Sequence, residues 1–205
     1  MSPFVVIFAA AWVLFLLWVG YGAISVRGIE EPAYRVVQTG DGYEIRAYEQ
    51  FLIAQVAEGG AWDEALTRGF STLAGYIFGD NIASVSGDTP EGHRIAMTAP
   101  VRSQDQNGQR MISFVMPASY SPETLPRPND PTIRIITVPA RTVAVRRFSG
   151  WVNEKRAAEE EEALRQSLSD AGIITTGTAV LAQYNPPWTP PFMRRNEIQI
   201  PVRQP

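Results

Sequence analysis

Apolar residues along this chain fall into three patterns, and each predicts a different element. The first is unbroken: residues 3–26 carry no charge and are mostly apolar, a run of 24 residues that would reach about 36 Å as a helix. That length predicts a membrane-spanning helix, with Trp12, Trp18 and Tyr21 as rings suited to a membrane interface and Arg27 as the first charge. The second pattern alternates or runs apolar in short stretches bounded by turn residues. Tyr43 to Ala47, Phe51 to Val56, Arg94 to Val101, Met111 to Met116, Ile133 to Val138 and Thr142 to Phe148 read as strands, with Asp41-Gly42 and Asn107-Gly108 as turns. The third recurs every three or four residues. Trp62, Leu66, Gly69 or Phe70, Leu73 and Ile77 form a helical stripe ended by Gly79, and Val152 to Ala171 forms a second helix ended by Gly172.

Strands and helices come in the same order twice, at an offset of about ninety residues. Ile45 falls opposite Ile135, Ile53-Ala54 opposite Val143-Ala144, and the stretch around Met97 opposite the one around Tyr184. The pattern predicts two pseudo-repeats, about 33–117 and 132–203, joined by the proline-rich stretch from Ala118 to Pro131. Each half exposes an apolar sheet face and one helical stripe, and pairing the halves buries both. The pattern therefore predicts an α+β fold of duplicated strand-helix-strand halves paired around a pseudo-twofold, with two packed helices. One transmembrane helix precedes it, giving an anchor over 1–28 and a domain over 29–205.

Composition narrows the function classes. The 205 residues are 45% hydrophobic and 19% charged, with a net charge of −3, so no concentrated basic face invites nucleic acid. The absence of cysteine removes disulfides, thiolate metal sites and a thiol nucleophile, and fits a reducing cytoplasm and a cysteine-poor envelope equally. Nucleophilic catalysis lacks its parts: His93 is the one histidine, and Ser71 lies inside the predicted helix without the glycines of a nucleophile elbow. Phosphate loops, dinucleotide fingerprints and metal-ligand spacings are also missing, which leaves hydrolysis by two carboxylates distant in the chain as the catalytic form still open and makes a non-enzymatic protein the expectation. The alternative to an anchor is a cleaved signal peptide, but no Lys or Arg precedes the apolar run and Gly20-Tyr21-Gly22 is a poor cleavage site. Orientation is finely balanced. Arg27 and Arg35 weakly favour a cytoplasmic domain, whereas the general pattern of short-leader proteins favours the exported, periplasmic placement adopted here.

Three segments carry a family resemblance: Glu30-Glu31-Pro32-Ala33-Tyr34, Ile95-Ala96-Met97-Thr98-Ala99-Pro100-Val101, and Gln183-Tyr184-Asn185-Pro186-Pro187-Trp188 running on to Arg194-Arg195-Asn196-Glu197-Ile198. In this order the chain resembles the SOUL family of haem-binding proteins over residues 30–202, as a bacterial, membrane-anchored member. The resemblance implies a distorted antiparallel barrel or twin sheet with two helices against it, and binding of haem or another tetrapyrrole. A histidine proposed as iron ligand in the family follows the Arg of a Tyr-Glu-hydrophobic-Arg segment; here Tyr43-Glu44-Ile45-Arg46 is followed by Ala47. Capture by apolar enclosure without tight iron ligation is the form left open.

Candidate ligand contacts follow from the chemistry such enclosure needs. Leu66, Phe70, Leu73 and Ile77 would form the wall of a groove beside the first soluble helix, Tyr184 a flat aromatic surface and Met97 a soft sulfur. Arg194 and Arg195 would hold propionate carboxylates, and His93 is a possible axial ligand. Each has a plainer reading: the stripe as ordinary core, Met97 packed in a strand, His93 as a solvated loop residue, and Arg195 with Glu197 as a surface or edge ion pair. Four glutamates from Glu159 to Glu162 point around a helix and read as a solvated face, with Lys155 and Arg156 as i, i+4 neighbours. A second function class stays open, namely sensing of a different apolar small molecule or a protein-interaction scaffold at the membrane.

Overall fold

The computed structural model describes residues 3–24, 27–82 and 92–203. Its strands are β1 (Tyr34–Gly40), β2 (Tyr43–Tyr48), β3 (Phe51–Glu58), β4 (Asn81–Ile82), β5 (Val101–Gln106), β6 (Gln109–Val115), β7 (Arg127–Pro128), β8 (Arg134–Val138), β9 (Arg141–Phe148), β10 (Val180–Gln183) and β11 (Asn196–Pro201). The helices are α1 (Pro3–Ile24), α2 (Trp62–Phe78) and α3 (Glu154–Asp170). Nine strands form one antiparallel sheet in the order β1-β2-β9-β11-β10-β5-β6-β3-β8, and β4 pairs with β7 apart from it. The units β2-β3-α2-β5-β6 and β8-β9-α3-β10-β11 occupy this sheet in mirrored order, meeting where β10 pairs β5. Its ends, β1 and β8, do not pair with each other, so the sheet is not the closed barrel that was one form of the expectation.

Strand alternation sends one set of side chains toward the helices. Beneath α2, Leu52, Ala54, Val56, Ile112 and Phe114 meet Leu73, Tyr76 and Ile77. Beneath α3, Ile45, Ala144, Ile198 and Ile200 meet Leu164 and Leu168. A Cβ on Gly69 would lie 2.8 Å from Ile112, so glycine is what lets α2 approach β6 this closely. α3 is capped by Asn153, whose side chain accepts from the Arg156 amide at 2.8 Å. The opposite, helix-free face is buried too. Tyr48, Val143 and Val145 form one cluster on it, Ile53, Val115 and Val138 another, and Phe51 packs against both.

Several expectations need correction. β1 is an element the alternation did not reveal, since its side chains are exposed along most of its length. The strand expected from Arg94 starts only at Val101: Pro100 has no amide to give a ladder, and Thr98 makes just a single bridge to Glu30. Met97 is accordingly an exposed loop residue rather than a packed strand residue. Glu160, expected on a solvated face, is buried and paired with Arg146 and Arg156, each at 2.7 Å. α1 has its 22-residue helical backbone, but its side chains are described only at 7–8, 11–22 and 24. Among the described residues no helix is long and apolar enough to cross a membrane.

Candidate functional site

β11 runs Asn196-Glu197-Ile198-Gln199-Ile200, so Ile198 and Ile200 face α3 while Glu197 and Gln199 point to the helix-free side. Because the curled sheet buries that side as well, the polar pair must be satisfied from within the protein. Glu197 has no exposed surface and accepts hydrogen bonds from Arg46 (3.0 Å), Arg195 (2.9 Å), Gln199 (3.0 Å) and the Tyr184 hydroxyl (2.8 Å). Arg46 also reaches Glu44 at 2.7 Å and Arg195 reaches Glu31 at 2.9 Å. The two guanidiniums stack over rings, Arg46 at 4.4 Å from the Tyr34 centroid and Arg195 at 3.7 Å from that of Tyr184. Burial alone would raise the Glu197 carboxyl; Arg195, Arg46 and the hydrogen bonds outweigh it and hold the group below its usual range. Burial, then Glu197, pushes the Tyr184 phenol up. The cluster ties β2 and the end of β10 to β11, and its charges are spent on one another.

Two cavities lie beside this cluster. One, of about 590 Å³, sits at the rim of the sheet and is lined by Tyr34, Arg35, Ala47, Tyr48, Arg141, Thr142, Thr176, Pro201 and Val202. A smaller one, of about 240 Å³, opens on the helix-free face between Ile53, Gln55, Arg102, Ser113, Ile136, Val138 and Arg141. Arg141 therefore belongs to both walls.

Residues 29–201 match the family described as SOUL heme-binding protein. The chain belongs to the SOUL family. Heme-binding protein 2 of Mus musculus is 27% identical over 189 residues, covering 85% of this chain and 86% of that protein. Its Homo sapiens counterpart is 29% identical, covering 87% and 86%. Among solved structures, the EcmrR C-terminal domain superposes with a TM-score of 0.59 at 12% identity, over 84% of this chain and 99% of that one. A hydrolase from Listeria innocua gives 0.52 at 11% identity, over 82% and 94%. At such identities these two likenesses show the fold alone.

With the SOUL fold in place, the anticipated contacts separate. Leu73 and Ile77 are fully buried in the core beneath α2, and Leu66 packs half-buried against the same cluster. Phe70 is 41% exposed, its ring edge-on to Phe114 at 5.3 Å, because Gly69 takes the position facing the sheet. Tyr184 and Arg195 come together, but around Glu197, and the Arg195–Glu197 ion pair has its carboxylate buried and its guanidinium partly buried rather than lying on the surface. Arg194 lies 3.7 Å over the Trp151 ring and donates to the carbonyls of Thr189 and Pro187. His93 is an exposed loop residue whose backbone is held by Asn81, through hydrogen bonds of 2.8 and 2.9 Å. None of these residues lines either cavity; Ala47, at the position where the family's proposed ligand would stand, lines the larger one. Arg46, Arg102, Arg141 and Glu197 went unread as site residues. Their signal is charge placed inside strands.

Proposed function

We propose that this SOUL protein binds haem or a related tetrapyrrole in the rim cavity, holding it without transforming it. Membership of the haem-binding family supports the ligand class, and the observation that carries the location is the 590 Å³ cavity with Ala47 on its wall. That volume falls within the usual range of small-molecule sites, about 300–1,000 Å³. The residues present fit the organic part of the group: Tyr34 and Tyr48 offer aromatic surface, and Arg35 and Arg141 offer cations for carboxylates. They do not fit a histidine, methionine or thiolate bond to iron, since the ligand-type donors lining the cavity are the phenols of Tyr34 and Tyr48. Tyr48 already accepts from Arg46 and Gln199, and burial pushes its phenol up, against forming the phenolate iron prefers. Enclosure with carboxylate anchoring is thus the mode proposed. The groove beside α2 is set aside, because Leu73 and Ile77 are spent on the core.

Titration of the full chain with haemin tests this reading. The expected result is a saturable Soret shift, unaffected by His93→Ala, with metal-free protoporphyrin IX competing at comparable concentration. A non-saturating response, or a shift lost in His93→Ala, would refute it.

In the same reading the apolar segment 3–26, which includes α1, anchors the domain to a membrane, with the domain on the periplasmic side, and the two pseudo-repeats arose by internal duplication. Phe8, Leu14 and Leu17 are 72%, 67% and 64% exposed, a poor arrangement for a helix in water. Trp18 donates to the Trp188 carbonyl at 2.7 Å, and the exposed rings of Trp151 and Trp188 belong to a residue type enriched at membrane interfaces. Carbonate-resistant association with membranes supports the anchor, and protection from protease in intact spheroplasts would overturn the exported orientation.

A further inference from the structure

The arginines on the helix-free face of the sheet are treated in two ways. Arg46 and Arg195 share Glu197 and each has a second carboxylate. Arg102, on the next part of the same face, is only 5% exposed and has no carboxylate partner among the described residues. Among the described residues its Nε makes no hydrogen bond, and the Phe51 ring lies 5.3 Å from its guanidinium carbon. The charged group that most affects it is Arg141, of the same sign, which also lines the 240 Å³ cavity. A buried guanidinium beside another guanidinium, with a donor left over, is a poor arrangement unless an anion completes it.

The rest of the cavity says which anion. Antiparallel register sets Arg102 opposite Ser113 and Ser113 opposite Gln55, so a hydroxyl and an amide share the guanidinium's face. Neither side chain makes a hydrogen bond to another described residue, and both are buried at the cavity wall. Beyond them the wall is mixed, with Ile53, Ile136 and Val138 giving it an apolar side and Gln104 and Thr137 adding polar groups. At about 240 Å³ the space lies below the common range for drug-sized ligands. Inorganic phosphate would satisfy the arginines but leave the isoleucine wall without a partner. A small acid with a compact apolar body satisfies both ends.

We infer that this cavity is a binding site for a small organic monocarboxylate, its carboxylate held by Arg102 and Arg141 with Ser113 and Gln55, and its apolar body against Ile53, Ile136 and Val138. Burial, with Arg141 adding to it, pulls the Arg102 guanidinium down to about 10, so it remains charged at neutral pH and an anion is needed there. The site shares Arg141 with the rim cavity, but Arg102 lines only the smaller one.

Calorimetric titration and thermal melts of the full chain with benzoate, 3-methylbutanoate, benzamide and inorganic phosphate test the inference. Benzoate or 3-methylbutanoate should bind saturably and raise Tm, neutral benzamide should do neither, and Arg102→Met should weaken binding at least about tenfold. Without ligand, Arg102→Met should keep or raise Tm, because an apolar side chain of similar length replaces an unpaired charge. The inference is overturned if neither acid binds, if benzamide or phosphate binds as well as the acids, or if Arg102→Met retains the response. A fall in Tm of the unliganded Arg102→Met protein would equally overturn it, by revealing a structural partner. Because Arg141 lines both cavities the acids are titrated without haemin, and the response of Arg102→Met, which touches only the smaller cavity, distinguishes this site from the haem reading.

Discussion

Replacing Glu197 by glutamine keeps the shape of the side chain and removes the charge that Arg46 and Arg195 share. In the wild type the shortest hydrogen bond to Glu197 from each of its donors lies between 2.8 and 3.0 Å, and the carboxylate is wholly buried, so solvent cannot compensate the loss. Breaking a buried ion pair by removing one partner costs roughly 3–5 kcal/mol. The lower end applies here, about 3 kcal/mol, because Arg46 keeps Glu44 and Arg195 keeps Glu31. For a domain of this size each kcal/mol moves Tm by about 2–4 °C, giving a fall of about 6–12 °C, readable by near-UV circular dichroism or calorimetry. The sign of the pH dependence is also fixed. The folded carboxyl is held below its ordinary value, so its stabilisation is present above the unfolded carboxyl pKa and is lost as pH falls through the folded one. The Tm gap between wild type and Glu197→Gln should therefore be full near neutrality and close on acidification. A gap under about 1 °C at pH 7 would refute the reasoning, as would a gap that widens in acid.

Other consequences are local. Gly69→Ala should destabilise by about 1–3 kcal/mol, since the new methyl meets Ile112 at 2.8 Å; a neutral effect in denaturant melts would mean α2 does not ride so close to β6. Asn153→Ala removes the cap of α3 and should cost about 1 kcal/mol, with Asn153→Asp largely restoring it; equal losses in both would exclude capping as the cause. Leu73→Ala should cost about 2–5 kcal/mol in the same melts, whereas a loss under about 1 kcal/mol would return Leu73 to the status of a ligand wall.

What could be read from the residues differs between the helices and the strands. The stripe through Leu73 and Ile77, the turn at Asn107-Gly108 and the halt at Gly79 are local signals, and the structure has all three: Asn107 and Gly108 at φ of 53° and 77°, Gly79 at 130°. The mirrored arrangement of strands in one sheet was not legible in the ninety-residue echo. Strand polarity misled for one physical reason. Glu197 and Gln199 in β11, and Arg102 in β5, occupy the alternate positions that solvent claims in a sheet packed on one side. Here the sheet curls enough to bury its second face, and curvature is a property of the assembled strands, not of any one of them. The candidate ligand contacts failed to converge for a related reason. Sequence spacing put Leu66, Phe70, Leu73 and Ile77 on one helical stripe, but packing takes Leu73 and Ile77 into the core and leaves Phe70 exposed, while the two cavities described lie between strands distant in the chain.

Haemin affinity of Ala47→Trp and Phe70→Asp, measured side by side with the wild type by Soret titration, tests the central claim most directly. The indole introduced by the first substitution would fill the rim cavity, whereas the carboxylate introduced by the second would alter the exposed edge of α2. The account predicts at least about tenfold weaker binding for Ala47→Trp and unchanged binding for Phe70→Asp, in proteins whose melts show both folded. Unchanged affinity in Ala47→Trp together with loss in Phe70→Asp would contradict it and return the ligand to the groove beside α2.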